Sequence, residues 1–238
     1  MSELFSIQLQ DQQQSSDGVW LDLPTTTEQV QAALRQIDIS SDNPQGLFIS
    51  GYFAEEEKRF AIPYNMVLAS NVDELNFLAS RLETLSAGER AELNAALQVP
   101  QSELSSIGRI TDFPENVDYY VHLPDVRGPA QLGDYYLNRS GMVDMPEEWK
   151  GGIDTAQFGR YVAQQEQGAF TQYGYLVKSG DEWQKVYEGQ PVPEEYRVLS
   201  FPASEILRDA ANIPPPVQST TEQQKVIPII LNGKDSAE

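Results

Sequence analysis

The sequence predicts an α+β protein made of three small domains followed by a proline-rich extension. Apolar–polar alternation typical of strands occurs near the beginning and the end of residues 1–190, and helix-capping sequences with helical apolar stripes lie between. Proline becomes frequent after residue 190. The predicted boundaries are 1–62 for an α/β domain, 63–105 for a helical domain, 106–190 for a second α/β domain and 191–238 for the extension.

The first predicted domain is a small sheet with one helix. Residues 3–10 and 18–23 alternate apolar and polar side chains, as half-buried strands do. Thr25-x-x-Glu28 has the spacing of a capping box, in which two side chains satisfy free backbone N–H groups at the start of a helix. Residues 47–53 are apolar and aromatic and predict a third strand.

The second predicted domain is a pair of helices. Asn71-x-x-Glu74 and Ser86-x-x-Glu89 also have capping-box spacing, and an apolar stripe follows each of them. Because the second helix starts directly after the first one ends, the two are expected to form a helical hairpin.

The third predicted domain again mixes strands and helices. Residues 117–123 predict a strand, residues 131–139 predict a helix, and Asp154-x-x-Gln157 starts a further helix.

An aromatic hairpin is predicted to end this domain. Residues 169–177 form its first strand, and residues 183–187 pair with them across the Ser179-Gly180-Asp181 turn.

The extension is predicted to be largely a linker. It contains one short helix at residues 203–211, and residues 212–238 have the composition of a linker. The apolar residues 226–231 are the exception and predict an edge strand or a partner-binding peptide.

The charge balance excludes direct binding to nucleic acid. The chain has 36 Asp and Glu against 16 Lys and Arg, which gives a net charge of -20. Non-specific affinity for DNA comes from clustered lysine and arginine, and the sequence has no such cluster. The acidic excess is larger in residues 1–120, with 19 acids and 6 bases, than in residues 121–238, with 17 acids and 10 bases.

The sequence contains no recognisable catalytic or metal-binding motif. Cysteine is absent, which excludes disulfides and zinc–thiolate sites and fits a reducing cytoplasm. The one histidine, His122, lies in a predicted strand without an evident partner for acid–base chemistry, so a packed or surface imidazole is expected. Nucleotide-binding and common hydrolase motifs are missing as well. We therefore expect a non-enzymatic protein with no cofactor, no metal and no membrane-spanning segment.

Several blocks of the sequence resemble the ArdA antirestriction proteins of conjugative elements and phages. The blocks occur in order along residues 3–178. They are Gly18-Val-Trp-Leu-Asp-Leu-Pro24 and the helix after it, residues 48–53, Asn71-Val-Asp-Glu-Leu-Asn-Phe-Leu78, Gly133-Asp-Tyr-Tyr136, Met145-Pro-Glu-Glu-Trp149, Ile153-Asp-Thr-Ala-Gln-Phe-Gly-Arg160 and residues 168–175.

This resemblance implies an elongated, curved rod of three small domains that dimerises end to end. Surface carboxylates would then follow the phosphates of bent B-form DNA, and the protein would occupy the DNA-binding groove of type I restriction-modification enzymes through their methyltransferase and specificity subunits. The expected site is the bacterial host cytoplasm. The chain differs from the family in its greater length and in the lower acid density of residues 121–238.

A set of acids spread over the predicted elements is expected to form the mimicking surface. It comprises Asp22, Glu28, Asp38, Asp42, Glu55, Glu56, Glu57, Asp73, Glu74, Glu83, Glu89, Glu92 and Glu147. Because the charge is distributed, reversing one acid is expected to cost little, whereas reversing four or more adjacent acids is expected to abolish inhibition.

Two alternative functions remain open at the level of the sequence. In the first, the chain is an acidic adaptor that recruits a protein partner through the proline-rich tail and residues 226–231. In the second it is a hydrolase, which requires two carboxylates converging in a pocket.

Overall fold

The N-terminal part of the chain forms a three-stranded antiparallel sheet with one helix. The computed structural model describes residues 4–12, 17–40, 44, 46–55, 60–100 and 102–199. Its first elements are β1 (Phe5–Asp11), β2 (Val19–Leu23), α1 (Thr27–Gln36) and β3 (Leu47–Phe53). The strand order is β2-β1-β3, with both pairs antiparallel. All four elements were expected from the apolar patterning, and the mixed α+β class is confirmed.

Helix α1 starts one residue later than its capping sequence predicts. The cap is Thr26, which forms a reciprocal capping box with Gln29, so the Thr25–Glu28 prediction is wrong by one position. Thr25 is buried, and its backbone N–H donates to Asn76 Oδ1 at 2.7 Å. Because a tertiary contact already satisfies this N–H group, the next threonine begins the helix.

Three helices follow, and the sequence predicts the caps of two of them. They are α2 (Tyr64–Leu68), α3 (Val72–Glu83) and α4 (Ala87–Gln98). Asn71 Oδ1 accepts from the backbone N–H of Glu74 at 2.9 Å, and Ser86 forms a reciprocal capping box with Glu89.

The remaining described elements form a second three-stranded sheet with surrounding helices. They are α5 (Ile107–Thr111), the 3-10 turns Phe113–Glu115 and Val117–Tyr119, β4 (Tyr120–Leu123), α6 (Pro129–Asp134), which continues into the π-helical turn Tyr135–Arg139, α7 (Glu147–Lys150), α8 (Thr155–Glu166), β5 (Ala169–Thr171), β6 (Gly174–Lys178) and the 3-10 turn Glu194–Tyr196. The order of this sheet is β4-β6-β5, and both pairs are antiparallel.

The strands of this sheet differ from the predicted ones. The first starts at Tyr120, because the preceding residues form a 3-10 turn. The predicted strand 169–177 is itself a hairpin, β5 and β6, which turns at Gly174 with a φ of 131°. Only glycine adopts this conformation without strain.

Residues 183–187 are not a strand, which corrects the predicted hairpin partner. Side chains from residues 112–116, far earlier in the chain, accept hydrogen bonds from their backbone N–H groups instead. Gln184 N donates to Asn116 Oδ1 at 2.7 Å, and Tyr187 N donates to Asp112 Oδ1 at 2.6 Å. Asp112 and Asn116 are buried, so these bonds hold the segment against the core.

One cluster of buried apolar side chains runs through most of the described chain. It extends from Leu4 in the first sheet through the helices to Val198 and Leu199, two residues of the predicted extension. A smaller cluster contains Val126, Leu132 and Tyr175. The domain boundaries given by the sequence stay a prediction.

Two glycines allow α6 and α8 to cross closely. A Cβ on Gly133 would lie 1.9 Å from Thr155 O, and a Cβ on Gly159 would lie 1.8 Å from Pro129 O. Any larger residue at these positions would push the helices apart.

Part of the sequence prediction lies outside the described residues. This applies to the helix at 203–211, the linker at 212–238 and the apolar residues 226–231. Within the described part of the chain, none of the helices has the length and apolar character needed to cross a membrane.

Candidate acidic surface

Several acids of the predicted surface are exposed. Asp22 lies on β2, Glu28 in the first turn of α1 and Glu74 in the first turn of α3. Asp38 follows α1, and Glu55 follows β3. Hydrogen bonds from its own backbone N–H and from Thr26 lower the pKa of Glu28, so this carboxylate stays charged at neutral pH.

Asp73 is a correction to the predicted surface. It is only 3% exposed, and its Oδ1 accepts from the backbone N–H groups of Val198 at 2.7 Å and Leu199 at 3.0 Å. Burial raises its pKa, against the opposing effect of these two bonds. This carboxylate therefore ties a distant segment to α3 and is not presented to a partner.

Glu92 is also poorly suited to carry surface charge. Its Oε1 is shielded from solvent and has no hydrogen-bond partner among the described residues. Burial, followed by the negative charges of Glu89 and Asp118, raises its pKa to about 8. At neutral pH the group is mainly protonated, because a buried carboxylate without a counter-charge is costly.

Two further predicted acids have local structural roles or partners, and a third is only half-exposed. Glu89 is half-buried and closes the capping box with Ser86, which lowers its pKa. Glu83 is half-buried on α3. Glu147 is exposed, but its Oε2 lies 2.8 Å from Lys150 Nζ, so a neighbouring cation partly compensates it. Asp42, Glu56 and Glu57 lie outside the described residues.

Many of the described basic side chains form ion pairs within the protein. Arg109 contacts both Glu103 and Glu188, with 3.0 Å between its Nε and Glu188 Oε1. Further pairs are Arg81–Glu115, Arg139–Asp134, Lys178–Glu103 and Lys185–Glu188. Since each of these cations is matched locally, they form no basic patch that would offset the surplus acids.

Other exposed acids extend the surplus beyond the predicted set. They include Asp17, Asp118, Asp125, Asp144, Glu148, Asp181, Glu182, Glu194 and Glu195. The adjacent pairs Asp181–Glu182 and Glu194–Glu195 were visible in the sequence, but only the structure shows that their side chains are exposed.

Neither the environment of His122 nor two clefts among the described residues bring two carboxylates together. His122 is half-buried, and its Nε2 lies 2.9 Å from the backbone oxygen of Tyr173. A cleft of about 510 Å³ is lined mainly by aromatic residues. Another, of about 360 Å³, contains the single carboxylate Glu166, which accepts hydrogen bonds from Tyr136 and Tyr175. No group of three possible metal ligands occurs within the described ranges.

Fold and charge together define an acidic α+β protein whose notable chemical feature is a surplus of exposed carboxylates. The chain matches the family model described as Antirestriction protein (ArdA) over residues 14–177. It therefore belongs to the ArdA antirestriction family, which confirms the resemblance seen in the sequence. None of the curated proteins matches the chain.

Proposed function

We propose that this antirestriction protein acts by mimicking B-form DNA. Its exposed carboxylates would take the place of DNA phosphates in the DNA-binding groove of a type I restriction-modification enzyme, chiefly on the methyltransferase and specificity subunits. The active form would be a homodimer in the cytoplasm of the bacterial host.

The observation that carries the proposal is the surplus of exposed acids over basic side chains, many of which are paired within the protein. A surface of this kind attracts the cationic groove of a DNA-binding enzyme and repels DNA itself. B-DNA has about one charge per 1.7 Å of axis, so a net charge of -20 corresponds to roughly 34 Å of duplex per protomer. A dimer would double this length.

The proposed contact residues are the exposed members of the sequence-derived set together with the newly found acids. The first group consists of Asp22, Glu28, Asp38, Glu55, Glu74 and Glu147, of which Glu147 is partly compensated by Lys150. Asp42, Glu56 and Glu57 stay in the proposal on the sequence alone. Asp73 is left out because it is buried, and Glu92 because its pKa of about 8 leaves it largely uncharged at neutral pH.

Competition with duplex DNA for a purified type I methyltransferase tests the proposal. The protein and DNA should exclude each other, and the affinity of the protein should fall steeply as salt increases, because bound counterions are released from the basic groove. Simultaneous binding of both ligands would contradict the proposal, as would an affinity independent of salt.

Matched variants separate contacting carboxylates from overall charge. The test variant carries four isosteric neutralisations, Asp22→Asn, Glu28→Gln, Asp38→Asn and Glu74→Gln. The control keeps these acids and adds four lysines at exposed uncharged positions, Ala32→Lys, Gln36→Lys, Asn65→Lys and Gln165→Lys. Both have the same net charge, but only the test variant is expected to lower the slope of log affinity against log salt. Any single neutralisation should have little effect.

Deletion of residues 212–238 distinguishes mimicry from the adaptor alternative. Retained competition with DNA is expected if the carboxylates of residues 1–199 carry the function. Loss of competition would favour an adaptor that acts through the tail.

A further inference from the structure

The outer face of the first sheet combines aromatic and acidic side chains. The register places Trp20 opposite Gln8 and Gln8 opposite Gly51, and it places Asp22 opposite Ser6 and Ser6 opposite Phe53. Residues directly opposite each other in an antiparallel sheet share a face. The opposite face carries the apolar side chains of the core, among them Ile7, Leu9, Leu21 and Ile49.

Two aromatic side chains on this face are exposed to solvent. Trp20 is 50% exposed and Phe53 is 57% exposed, whereas aromatic side chains of this size are usually largely buried. Phe48, which pairs with Gln10 on the same face, is half-buried. We refer to Trp20, Phe48 and Phe53 as the aromatic face.

The indole of Trp20 lies across β1. Its Cη2 would be 3.0 Å from a Cβ at Gly51, two strands away. Since Gly51 has no side chain, the ring can extend over Gln8 and leave its outer surface accessible. A ring placed in this way can accept a stacking partner without turning away from the sheet.

The carboxylate of Asp22 lies on the same face as the Trp20 ring. Asp22 lies two residues after Trp20 on the same strand and the same face, about 7 Å farther along the chain. Its Oδ1 accepts from Ser6 Oγ at 2.8 Å, which fixes the position of the carboxylate. The face therefore offers a π surface and a negative charge at neighbouring positions.

We infer that the aromatic face and Asp22 bind arginine side chains of a cationic protein partner. A guanidinium is planar, stacks on an indole and donates several hydrogen bonds to a carboxylate, which an ammonium group cannot do at once. The inference rests on the proposed function for the identity of the partner, and it adds that recognition includes a stacking contact.

Charge determines the choice of arginine over other ligands that stack on aromatic rings. Nucleobases also stack on exposed aromatic side chains, but their phosphates would be repelled by Asp22 and by a chain of net charge -20. A wholly apolar partner would leave the Asp22 carboxylate without a counter-charge. An arginine side chain can stack on the aromatic face and supply the counter-charge for Asp22.

Fluorescence anisotropy with labelled octa-arginine and octa-lysine peptides tests this inference on the full-length protein. The peptides have the same charge, so general electrostatic attraction is nearly equal for both. We expect octa-arginine to bind about five-fold more tightly. The ratio should persist as salt increases, although both affinities fall. Equal affinities for the two peptides would overturn the inference.

Substitutions of Trp20 test whether the preference for octa-arginine over octa-lysine arises on the aromatic face. Trp20→Thr keeps a residue favoured in strands and should reduce the ratio to about one, whereas Trp20→Phe should leave a smaller preference. The control is Trp149→Ala, which removes a 65% exposed tryptophan on α7 and should leave the ratio unchanged. Loss of the preference in Trp149→Ala alone would overturn the inference, and so would a single-stranded oligonucleotide that displaces octa-arginine by binding to the aromatic face.

The two proposals fail in different experiments. If the protein does not compete with DNA for the methyltransferase, the mimicry proposal fails while the arginine preference can still be measured. If the peptides bind equally, competition with DNA is unaffected and only the stacking contact is refuted.

Discussion

Replacing Glu92 with glutamine is expected to change how the stability of the protein depends on pH. The ordinary pKa of a glutamate is 4.5, and burial together with Glu89 and Asp118 raises that of Glu92 to about 8. Between these values the folded protein holds a proton that the unfolded chain has released. Glutamine is nearly isosteric and uncharged at every pH, so the variant lacks this linkage.

The direction and size of the effect follow from the raised pKa. The stability linked to protonated Glu92 is complete below pH 4.5 and is lost as the pH rises towards 8. One pKa unit corresponds to about 1.4 kcal/mol, and partial contact with solvent reduces this value. We expect the wild-type protein to lose roughly 2 kcal/mol relative to Glu92→Gln between pH 5 and pH 8.

Urea unfolding at several pH values measures this difference directly. Other titrating groups are shared by the two proteins and largely cancel in the comparison. Glu74→Gln, an exposed position on the neighbouring helix α3, is the control and should follow the wild type at every pH. A difference between wild type and Glu92→Gln that stays constant from pH 5 to pH 8 would refute the reasoning.

Two further substitutions test how the fold is held together. Asp73→Ala leaves two buried backbone N–H groups without their acceptor and should lower the free energy of unfolding in urea by about 2–4 kcal/mol. The control Glu74→Ala should lower it far less. Similar losses in both variants would contradict the role of Asp73 as a buried acceptor. Gly133→Ala brings a Cβ within 1.9 Å of Thr155 O and should lower the melting temperature markedly or prevent folding. In the control Gly88→Ala, the added Cβ meets no atom within 4 Å and should stabilise α4 by about 0.5–1 kcal/mol. A melting temperature of Gly133→Ala at or above that of the wild type would contradict the close crossing of α6 and α8.

Local patterns predicted most of the helices and strands because their causes are local. Apolar alternation indicated the strands of the first sheet, and the side chains of Asn71, Ser86 and Asp154 cap helices as their spacing suggested. The shift from Thr25 to Thr26 arose from a contact with Asn76, which lies far away in the sequence. A capping motif carries no information about such a contact.

The sequence predicts that the protein surface is negatively charged, but it does not predict which acids are exposed. Composition alone gives the net charge, but whether a given acid is exposed depends on packing. Asp73 lies in the first turn of α3, where an acid usually faces solvent, yet it accepts bonds from residues 125 and 126 positions later. In the sequence, Glu92 is indistinguishable from a surface acid, but in the structure its Oε1 is shielded from solvent.

The family match ends at residue 177, but the folded unit does not. Phe77 packs between the rings of Tyr187 and Tyr196, at 4.9 and 4.7 Å, and Leu199 is buried. A shortened protein cut at the family boundary would leave the side of α3 uncovered and Asp73 without its donors. A shortened or transplanted version of this protein should therefore keep the chain at least through Leu199. The residues between 178 and 199 cover one side of α3 and supply the donors for Asp73.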